Sequence, residues 1–194
     1  RGILWLLQQC SRLYVTFFRG TPLFVQILVW YFVWSPILVH PQHGLLIDGE
    51  LARQLRQNYG ALIAGVLALS VNSGAYITEI FRSGIKSIDR GQMEAARSLG
   101  LSYGQAMRYI ILPQTVRRML GPLGNEFITL LKDSSLLAVI AVPELAYAAK
   151  SAAGRFSTME EPYYFISLIY LLLTIVLAWF FARLEKKYNT DGNR

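Results

Sequence analysis

The run PYYFISLIYLLLTIVLAWFFA, residues 162–182, decides the class of this protein. It contains no Asp, Glu, Lys, Arg or His, and its length is that of a bilayer crossing, which takes roughly 20 apolar residues in a helix. Over the whole chain 54% of residues are hydrophobic and only 16% are charged, whereas soluble domains carry about a quarter charged residues. The composition therefore indicates a membrane protein.

Three further windows are apolar enough to support this interpretation. Residues 20–46 contain no Asp, Glu, Lys or Arg, and only His40 and His43 could carry a charge near neutral pH; residues 57–78 are uncharged and rich in small side chains. The window 119–142 is weaker because it contains Glu126, Lys132 and Asp133. Four spans of roughly bilayer length predict an all-α fold, a polytopic transmembrane helical bundle.

The segment before the first span, residues 1–19, is amphipathic and basic and lacks a signal-peptide pattern. We expect a lead-in helix on the membrane surface, with Arg19 reaching the inner interface by snorkelling. Gly20 and Pro22 are expected to start the following helix, and Thr21 to cap it.

The distribution of Lys and Arg predicts the orientation of the spans. By the positive-inside rule the richer side is cytoplasmic. That side carries Arg1, Arg12, Arg19, Arg82, Lys86, Arg90, Arg97, Arg108, Arg117, Arg118, Arg183, Lys186, Lys187 and Arg194, and the other side carries Arg53, Arg56, Lys150 and Arg155. Topology thus explains the net charge of +7, so nucleic acid is an unnecessary partner. The lone Cys10 lies on the reducing side, where no disulfide is expected.

Catalytic motifs are absent from the sequence. There is no phosphate-binding Gly-x-x-x-x-Gly-Lys-Ser/Thr loop, no Cys-x-x-Cys, no His-Glu-x-x-His and no Gly-x-Ser-x-Gly. His40 and His43 have Pro41 between them and no third ligand nearby, so ordinary loop residues are favoured over a metal site. We expect a chain that is not an enzyme and holds no metal or cofactor of its own.

Residues 82–118 form the largest hydrophilic insertion between predicted spans. Gly91 and Gly100 bracket the helix-favouring run QMEAARSL, which places Glu94 near the start of a first short helix. Ser102 can cap a second helix, YGQAMRYIIL, which is expected to end against Pro113. From the residue types alone, a docking element for another protein and a solvated connecting loop are equally favoured.

One spacing within this insertion resembles a known family. Glu94-Ala95-Ala96, then Gly100, then Ile110, Leu112 and Pro113 match the EAA loop signature of bacterial ABC importer permeases. The runs FFRGTPLFVQILVWYF, AYITEIFRSGIKSID and FITLLKDSSLLAVIAVPEL are similar to the polar amino acid branch of that family. The resemblance extends from about Arg12 to Lys187.

The resemblance implies a bundle like that of the type I ABC importer permeases, with short cytoplasmic coupling helices. It implies one permease domain over residues 1–187, with 82–118 as the cytoplasmic coupling region and 188–194 as a polar tail. Members of this branch usually have five spans, so we expect the first family span to be missing before residue 1. The implied location is the bacterial inner membrane, with the EAA loop and the C-terminus in the cytoplasm.

The resemblance also implies partners and roles. The partners are two ATP-binding subunits, which bind ATP and magnesium, a second permease subunit, identical or homologous, a soluble substrate-binding protein and the lipid bilayer. Coupling to the ATP-binding subunit is assigned to Glu94, Ala95, Ala96, Gly100, Ile110, Leu112 and Pro113. Glu94 can pair with a basic group, the two alanines permit close packing, and Gly100 allows the turn between the short helices.

Polar residues within the spans are candidates for a substrate path, because ionisable groups there cost roughly 2.5–3.5 kcal/mol each on insertion scales. The candidates are Asn72, Ser73, Thr78, Glu79, Lys132, Asp133, Ser134 and Ser135. Polar ties between helices remain the alternative. For Glu79, close to Arg82, a structural or gating role is favoured. For Lys132 and Asp133, path lining and structural pairing stay open.

The function that these observations favour is the transmembrane subunit of an ATP-driven importer that moves a polar amino acid into the cytoplasm. The outer segment 142–164 would meet the binding protein through Lys150, Arg155, Glu160 and Glu161. The alternatives are an ATP-independent secondary transporter or channel, and a membrane scaffold that recruits a cytoplasmic partner. Inverted repeats would favour the transporter and a filter motif the channel, but neither is evident in the sequence.

Overall fold

A computed structural model describes residues 2–156, 158 and 160–188, and within them the chain is almost entirely helical. Arg1, Arg194 and most of the predicted tail lie outside these residues. The helices are α1 Gly2–Gly20, α2 Leu23–Val29, α3 Ser35–Leu38, α4 Gly49–Lys86, α5 Arg90–Ser98, α6 Tyr103–Ala106, α7 Leu112–Asp133, α8 Leu145–Phe156 and α9 Glu160–Tyr188. A π turn, Trp30–Trp34, joins α2 to α3, a second, Met107–Ile111, joins α6 to α7, and a 3-10 segment, Ser134–Ile140, follows α7.

The predicted spans fall into two kinds of helix. Within the described part of the chain, two uninterrupted helices are long and apolar enough to cross a membrane, α4 and α9. The other two windows lie in bent pairs: Gly2–Gly20 with Leu23–Leu38, bent by 107°, and Tyr103–Ile140 with Leu145–Phe156, bent by 45°. Counting each bent pair as one span gives up to four, the number predicted from the sequence.

The bend between α1 and α2 shows that the predicted cap at Thr21 is wrong. Pro22 occupies the cap position of α2, which has no side-chain cap. The Thr21 hydroxyl instead donates to the Phe17 carbonyl at 2.9 Å, at the end of α1. Thr21 therefore closes the preceding helix, whose last carbonyl groups would otherwise lack donors.

Two compact units make up the chain, and the first comprises Arg1–Ala75 and Leu130–Leu171. Its buried apolar cluster joins α2, α4 and the 3-10 segment, with Ile27, Ala68, Leu137, Ile140 and Val142 at its centre. Small residues let these elements approach closely, because a Cβ atom at Gly65 would lie 2.9 Å from the Leu137 methyl groups. This packing resembles helix association in membranes, where small residues line the contacts.

A network of side-chain amides holds the α1–α2 bend against α4. The Gln26 Nε2 group reaches the Phe18 carbonyl at 2.8 Å and the Thr21 carbonyl at 3.1 Å. Asn72 on α4 donates to Gln26 Oε1 at 3.0 Å and to the Phe18 carbonyl at 3.2 Å. Gln26 and Asn72 are both buried, so the polar groups exposed by the bend are satisfied within the protein.

The end of the 3-10 segment is fixed by Glu144 and Tyr170. Ala141 closes the segment in the left-handed region, at φ 61°. The Glu144 carboxylate then accepts the backbone N–H groups of Ala146 at 2.8 Å and Tyr147 at 2.6 Å, which begin α8. Tyr170 on α9 donates to the same carboxylate at 2.9 Å. Glu144 therefore caps α8 and ties it to α9.

The second unit comprises Tyr76–Thr129 and Leu172–Arg194, of which the structure describes residues up to 188. Its helices also meet at glycines. A Cβ at Gly84 of α4 would lie 2.6 Å from the Met119 side chain of α7, and one at Gly124 would lie 2.6 Å from the Phe181 ring of α9. Helix α7 is thereby held close to both α4 and α9.

The prediction that a helix ends against Pro113 is wrong, because the chain stays helical from Tyr103 to Asp133. A proline inside a regular α-helix removes an N–H donor and clashes with the carbonyl four residues earlier. Here the π turn Met107–Ile111 comes immediately before the proline. A π turn shifts the hydrogen bonding by one residue, and Pro113 then sits in the first turn of α7, where no N–H is needed.

We predict that Gly124→Ala destabilises the protein, because the added methyl group meets Phe181 Cβ at 2.8 Å and its ring at 2.6 Å. Overpacking of this kind costs about 1–3 kcal/mol. Thermal unfolding of the purified protein in detergent measures the effect. Gly154→Ala in α8 is the matched control, since nothing lies within 4 Å of its added methyl group. A melting temperature of Gly124→Ala equal to that of the control would contradict the close α7–α9 contact.

Candidate functional site

The predicted coupling region, residues 82–118, contains two short helices between two long ones. Helix α4 continues to Lys86 and α7 begins at Leu112, so the part outside the long helices is shorter than predicted, residues 87–111. We call residues 87–111 the coupling segment. Its α5 packs against α6 and against the π turn Met107–Ile111.

Helix α5 begins at a side chain that the sequence analysis missed. Asp89 is the N-cap, and its carboxylate accepts the Gly91 N–H at 2.6 Å. A carboxylate at this position also interacts favourably with the helix dipole. Since α5 starts at Arg90 and ends at Ser98, Glu94 lies in the middle of the helix and not near its start, as the sequence had suggested.

The turn after α5 requires glycine, as predicted. Gly100 has φ +85° and donates its N–H to the Arg97 carbonyl at 3.1 Å. The next residue, Leu101, donates its N–H to the Ala96 carbonyl at 3.2 Å. These two bonds form a Schellman motif, in which the left-handed residue is usually glycine. A residue with a side chain at position 100 would be strained even though no atom obstructs it.

Helix α6 begins in a capping box that fixes its direction. The Ser102 hydroxyl accepts the Gln105 N–H at 3.3 Å, and the Gln105 side chain accepts the Ser102 N–H at 2.8 Å. Ser102 was predicted as the cap, and the structure agrees. Both ends of the connection between α5 and α6 are therefore defined by local hydrogen bonds.

The two alanines of the signature have different environments. Ala95 is exposed, whereas Ala96 is only 1% exposed and packs inside the chain. Glu94 and Gly100 are also exposed, and Leu99 between them is 83% exposed. Glu94, Ala95, Leu99 and Gly100 thus form an exposed surface, to which the sequence analysis did not assign Leu99. Leu99 is the large apolar side chain of this surface.

Side chains tie the coupling segment to the long helices. Arg118 on α7 donates to the Ser87 carbonyl, just after α4, and its Nη1 lies 3.4 Å from the Ser87 hydroxyl. Gln114 on α7 reaches Gln92 of α5 at 3.4 Å. Ile110 is half-buried in the π turn, while Leu112 and Pro113 are exposed at the start of α7. A displacement of α5 would therefore exert a force on both α4 and α7.

The candidate path residues do not form one group. Asn72 and Ser73 are buried in the first unit, and Asn72 bonds Gln26 as described above. Thr78 and Glu79 belong to the second unit. Glu79 forms a bidentate ion pair with Arg82, in which Arg82 Nε lies 2.8 Å from Glu79 Oε2. The geometry thus gives Asn72 and Glu79 structural partners within their own helices or units.

Lys132, Asp133, Ser134 and Ser135 lie where α7 passes into the 3-10 segment. Lys132 is exposed and Asp133 half-buried. The Ser134 hydroxyl donates to the Leu131 carbonyl at 2.7 Å, and the Ser135 hydroxyl to the Lys132 carbonyl at 2.6 Å. Ser134 also contacts the phenol of Tyr170. The hydroxyl groups therefore terminate α7, which leaves the two charged side chains as the path candidates in this region.

Most of the predicted outer segment 142–164 forms α8, of which Ala149 and Ala153 are buried and Lys150 and Arg155 exposed, and its last residues begin α9. Across residues 2–156, 158 and 160–188 no group of three or more His, Cys, Asp or Glu side chains is placed to hold a metal ion. His40 and His43 stack on each other, with ring centroids 3.7 Å apart.

Several residues that organise these regions escaped the sequence analysis, in particular Gln26, Arg118, Glu144 and Tyr170. For Gln26 a signal was present, since it is an amide inside the apolar run PLFVQILVWYF and such residues usually bond across helices. Arg118 and Tyr170 gave no such signal. An arginine at the edge of an apolar window and a tyrosine in a span are ordinary in membrane proteins, and their partners come from distant parts of the chain.

Comparison with known proteins places this geometry in a family. Residues 2–190 match the family described as the binding-protein-dependent transport system inner membrane component. The probable glutamine ABC transporter permease GlnM of Bacillus subtilis is 40% identical over 186 residues, which are 94% of this chain and 78% of the relative. The glutamine transport system permease GlnP of Escherichia coli K12 is 37% identical and covers 94% of this chain and 76% of the relative.

A solved structure agrees in sequence and in fold. The crystal structure of an amino acid ABC transporter with histidines contains a chain that is 37% identical to this one. It superposes with a TM-score of 0.72 over 90% of this chain and 73% of that chain. By these matches over nearly its whole length, the chain belongs to the family of binding-protein-dependent transport system inner membrane components.

Proposed function

We propose that this chain is the transmembrane subunit of an ATP-driven ABC importer that carries a polar amino acid into the cytoplasm. The observation that carries the proposal is the exposed surface of Glu94, Ala95, Leu99 and Gly100 on a coupling segment fixed between two long helices. The relatives named above are glutamine and amino acid ABC transporter permeases, and they support the polar amino acid as substrate. A scaffold or a secondary transporter has no corresponding support.

The proposed assembly contains two ATP-binding subunits, a second permease subunit, identical or homologous, and a soluble binding protein outside. ATP and magnesium would be held by the ATP-binding subunits. The proposed location is the bacterial inner membrane. The excess of Lys and Arg on one side supports a cytoplasmic coupling segment and C-terminus, with α8 and the start of α9 facing the binding protein.

In the proposed coupling mechanism, the exposed surface of α5 docks on an ATP-binding subunit. Glu94 supplies a carboxylate for a basic group of the partner, Ala95 allows close approach, and Leu99 supplies apolar area. Ala96 contributes indirectly, because its small side chain lets α5 pack on its own chain. Ile110, Leu112 and Pro113 join the segment to α7.

Movement of α5 is then transmitted through Arg118 and Gln114, which bond the segment at two places. Coupling requires two states that ATP and substrate both bias. Because the contacts of α5 with α6 and with the π turn are close, the segment would move as a body and not by local melting. The π turn before Pro113 provides the place where α7 can bend.

For this coupling we predict that Glu94→Lys and Gly100→Leu lower transport with little loss of membrane insertion. The first variant repels the basic group expected on the partner, and the second strains the left-handed turn at φ +85°. A coupling free energy of the usual size corresponds to a fall of roughly tenfold or more in transport. The measurement is the ATPase rate and uptake of the assembly in lipid, with binding protein loaded by a panel of amino acids.

Glu50→Lys is the matched control, because Glu50 is an exposed carboxylate in the first turn of α4. Stimulation by one ligand class that is lost in Glu94→Lys but kept in Glu50→Lys supports both the coupling role and the substrate class. Normal transport by both coupling variants would refute the docking assignment. An assembly without an ATP-binding subunit and without stimulation would refute the importer itself.

For the substrate path we propose Lys132 and Asp133, with the remaining candidates as supports. Asp133→Asn is expected to raise the amino acid concentration needed for half-maximal uptake by proteoliposomes, with equal amounts of inserted protein. Ser167→Ala in α9 is the control, since Ser167 is not a path candidate and its exposed hydroxyl donates to the Tyr163 carbonyl one turn earlier in the same helix. If Asp133→Asn instead lowers the melting temperature and leaves the concentration dependence of uptake unchanged, Asp133 has a structural role and does not line the path.

A further inference from the structure

A basic pocket lies in the first unit, on the loop between α3 and α4. It has a volume of 500 Å³ and is lined by His40, Pro41, Arg53, Arg56 and Gln57. The two arginines are three residues apart on α4, so their side chains extend from the same face of the helix. Neither the coupling mechanism nor the substrate path uses this pocket.

The wall of the pocket that contains His40 is a rigid turn. Gly44 donates its N–H to the His40 carbonyl at 3.1 Å, and the His40 N–H reaches the Ile47 carbonyl at 3.2 Å. A Cβ atom at Gly44 would lie 2.6 Å from the His40 nitrogen, so only glycine fits. The backbone is thus shaped to hold His40 beside the start of α4.

Two leucines follow the turn and expose their side chains. Leu45 is 75% and Leu46 72% exposed, although their backbone N–H groups bond the Ile37 and Leu38 carbonyls at the end of α3. Trp34, which lies one helical turn before Leu38, is 49% exposed. An exposed tryptophan toward the end of a span and a pair of adjacent exposed leucines in the loop that follows are typical of the bilayer interface.

We propose that this pocket binds the phosphate group of an anionic phospholipid while Leu45 and Leu46 enter the bilayer interface. Guanidinium groups match phosphate oxygens in geometry and charge. The start of a 38-residue helix adds its positive dipole end nearby. Glu50 faces Arg53 at 3.6 Å, but both side chains are more than half exposed, so this ion pair competes weakly with a phosphate.

The occupant is a lipid headgroup and not a free anion, because apolar and basic groups occur together on one short loop. A free phosphate would gain nothing from Leu45 and Leu46. An anionic membrane surface, in contrast, attracts basic residues and accommodates leucine side chains in the same layer.

Protons are expected to strengthen the binding. His40 Nδ1 accepts the Gln42 N–H at 3.2 Å, which requires the neutral ring. Burial, the neighbouring His43 and Arg56 hold the pKa of His40 below its usual value of 6.5. A bound phosphate group would offset the repulsion from His43 and Arg56 and so raise the pKa of His40. The acids that follow the turn in the chain are Asp48 and Glu50. Binding then takes up a proton, so affinity rises as the pH falls through this range.

The test uses the assembled transporter with its partner subunits, purified in detergent with phosphatidylglycerol or phosphatidylcholine. Native mass spectrometry counts the lipid retained. Arg53→Gln with Arg56→Gln is expected to weaken phosphatidylglycerol retention by about fivefold for each arginine, the effect of one basic residue at an anionic surface. Phosphatidylcholine retention should not change. The matched control is the double variant Lys150→Gln with Arg155→Gln in α8. If the variant with both Arg53 and Arg56 replaced fails to assemble, the single variant Arg56→Gln is used in its place.

Four results would overturn the proposal. The first is that all variants retain as much phosphatidylglycerol as the unaltered chain, and the second is that the α8 control loses as much as the arginine variant. The third is that inorganic phosphate at matching concentration displaces the lipid. The fourth is that the arginine variant changes only the affinity for the binding protein. The third would indicate a free-anion site and the fourth a protein contact.

The pH arm uses His40→Asn, whose side-chain oxygen can still accept the Gln42 N–H but cannot be protonated. Retention by the unaltered chain should increase from about pH 7.5 to about pH 5.5. Retention by His40→Asn should stay constant over that range. The same increase in both proteins would exclude His40 as the group that takes up the proton.

Discussion

The amide of Gln26 is the interaction on which the first unit depends. Where α1 ends in a sharp bend, backbone carbonyl groups lose their helical donors, and a membrane offers no water to replace them. Gln26 reaches back to Phe18 and Thr21 and receives Asn72 from α4. One side chain thereby closes the bend and fixes α2 to the long helix against which the apolar cluster forms. Without it, the bend would carry unsatisfied carbonyl groups into an apolar environment.

The same rule explains the other breaks in the helices. Gly100 and Leu101 return their N–H groups to α5, Ser102 and Gln105 exchange bonds at α6, and Glu144 caps α8. The carbonyl or N–H groups at each of these breaks are bonded by residues within a few positions, and Tyr170 adds a distant contact at Glu144. This local closure defines the shape of the coupling segment, which the proposed docking on another protein would require.

The sequence was informative where the physical signal is local or periodic. Apolar length predicted α4 and α9, and Gly100 and Ser102 predicted the turn and the cap between the short helices. Predictions from the sequence were wrong where a neighbouring π turn or bend changes the usual effect of a residue on the helix. Pro113 does not end a helix, since a π turn precedes it, and Thr21 bonds the helix before it and not the one after. The burial of Ala96 could not be read from its spacing, and its assignment to the coupling role stays a prediction.

The contact of Tyr170 with Glu144 also bears on which substitutions α9 can tolerate. Its hydroxyl fixes α9 to Glu144 and hence to the start of α8. This polar contact therefore helps to set the register between α8 and α9. Leu168 and Leu171, on either side of Tyr170, are 59% and 53% exposed. They can be exchanged for other apolar residues at little cost, so the outward face of α9 is free to adapt to membranes of different composition while the position of α8 is retained.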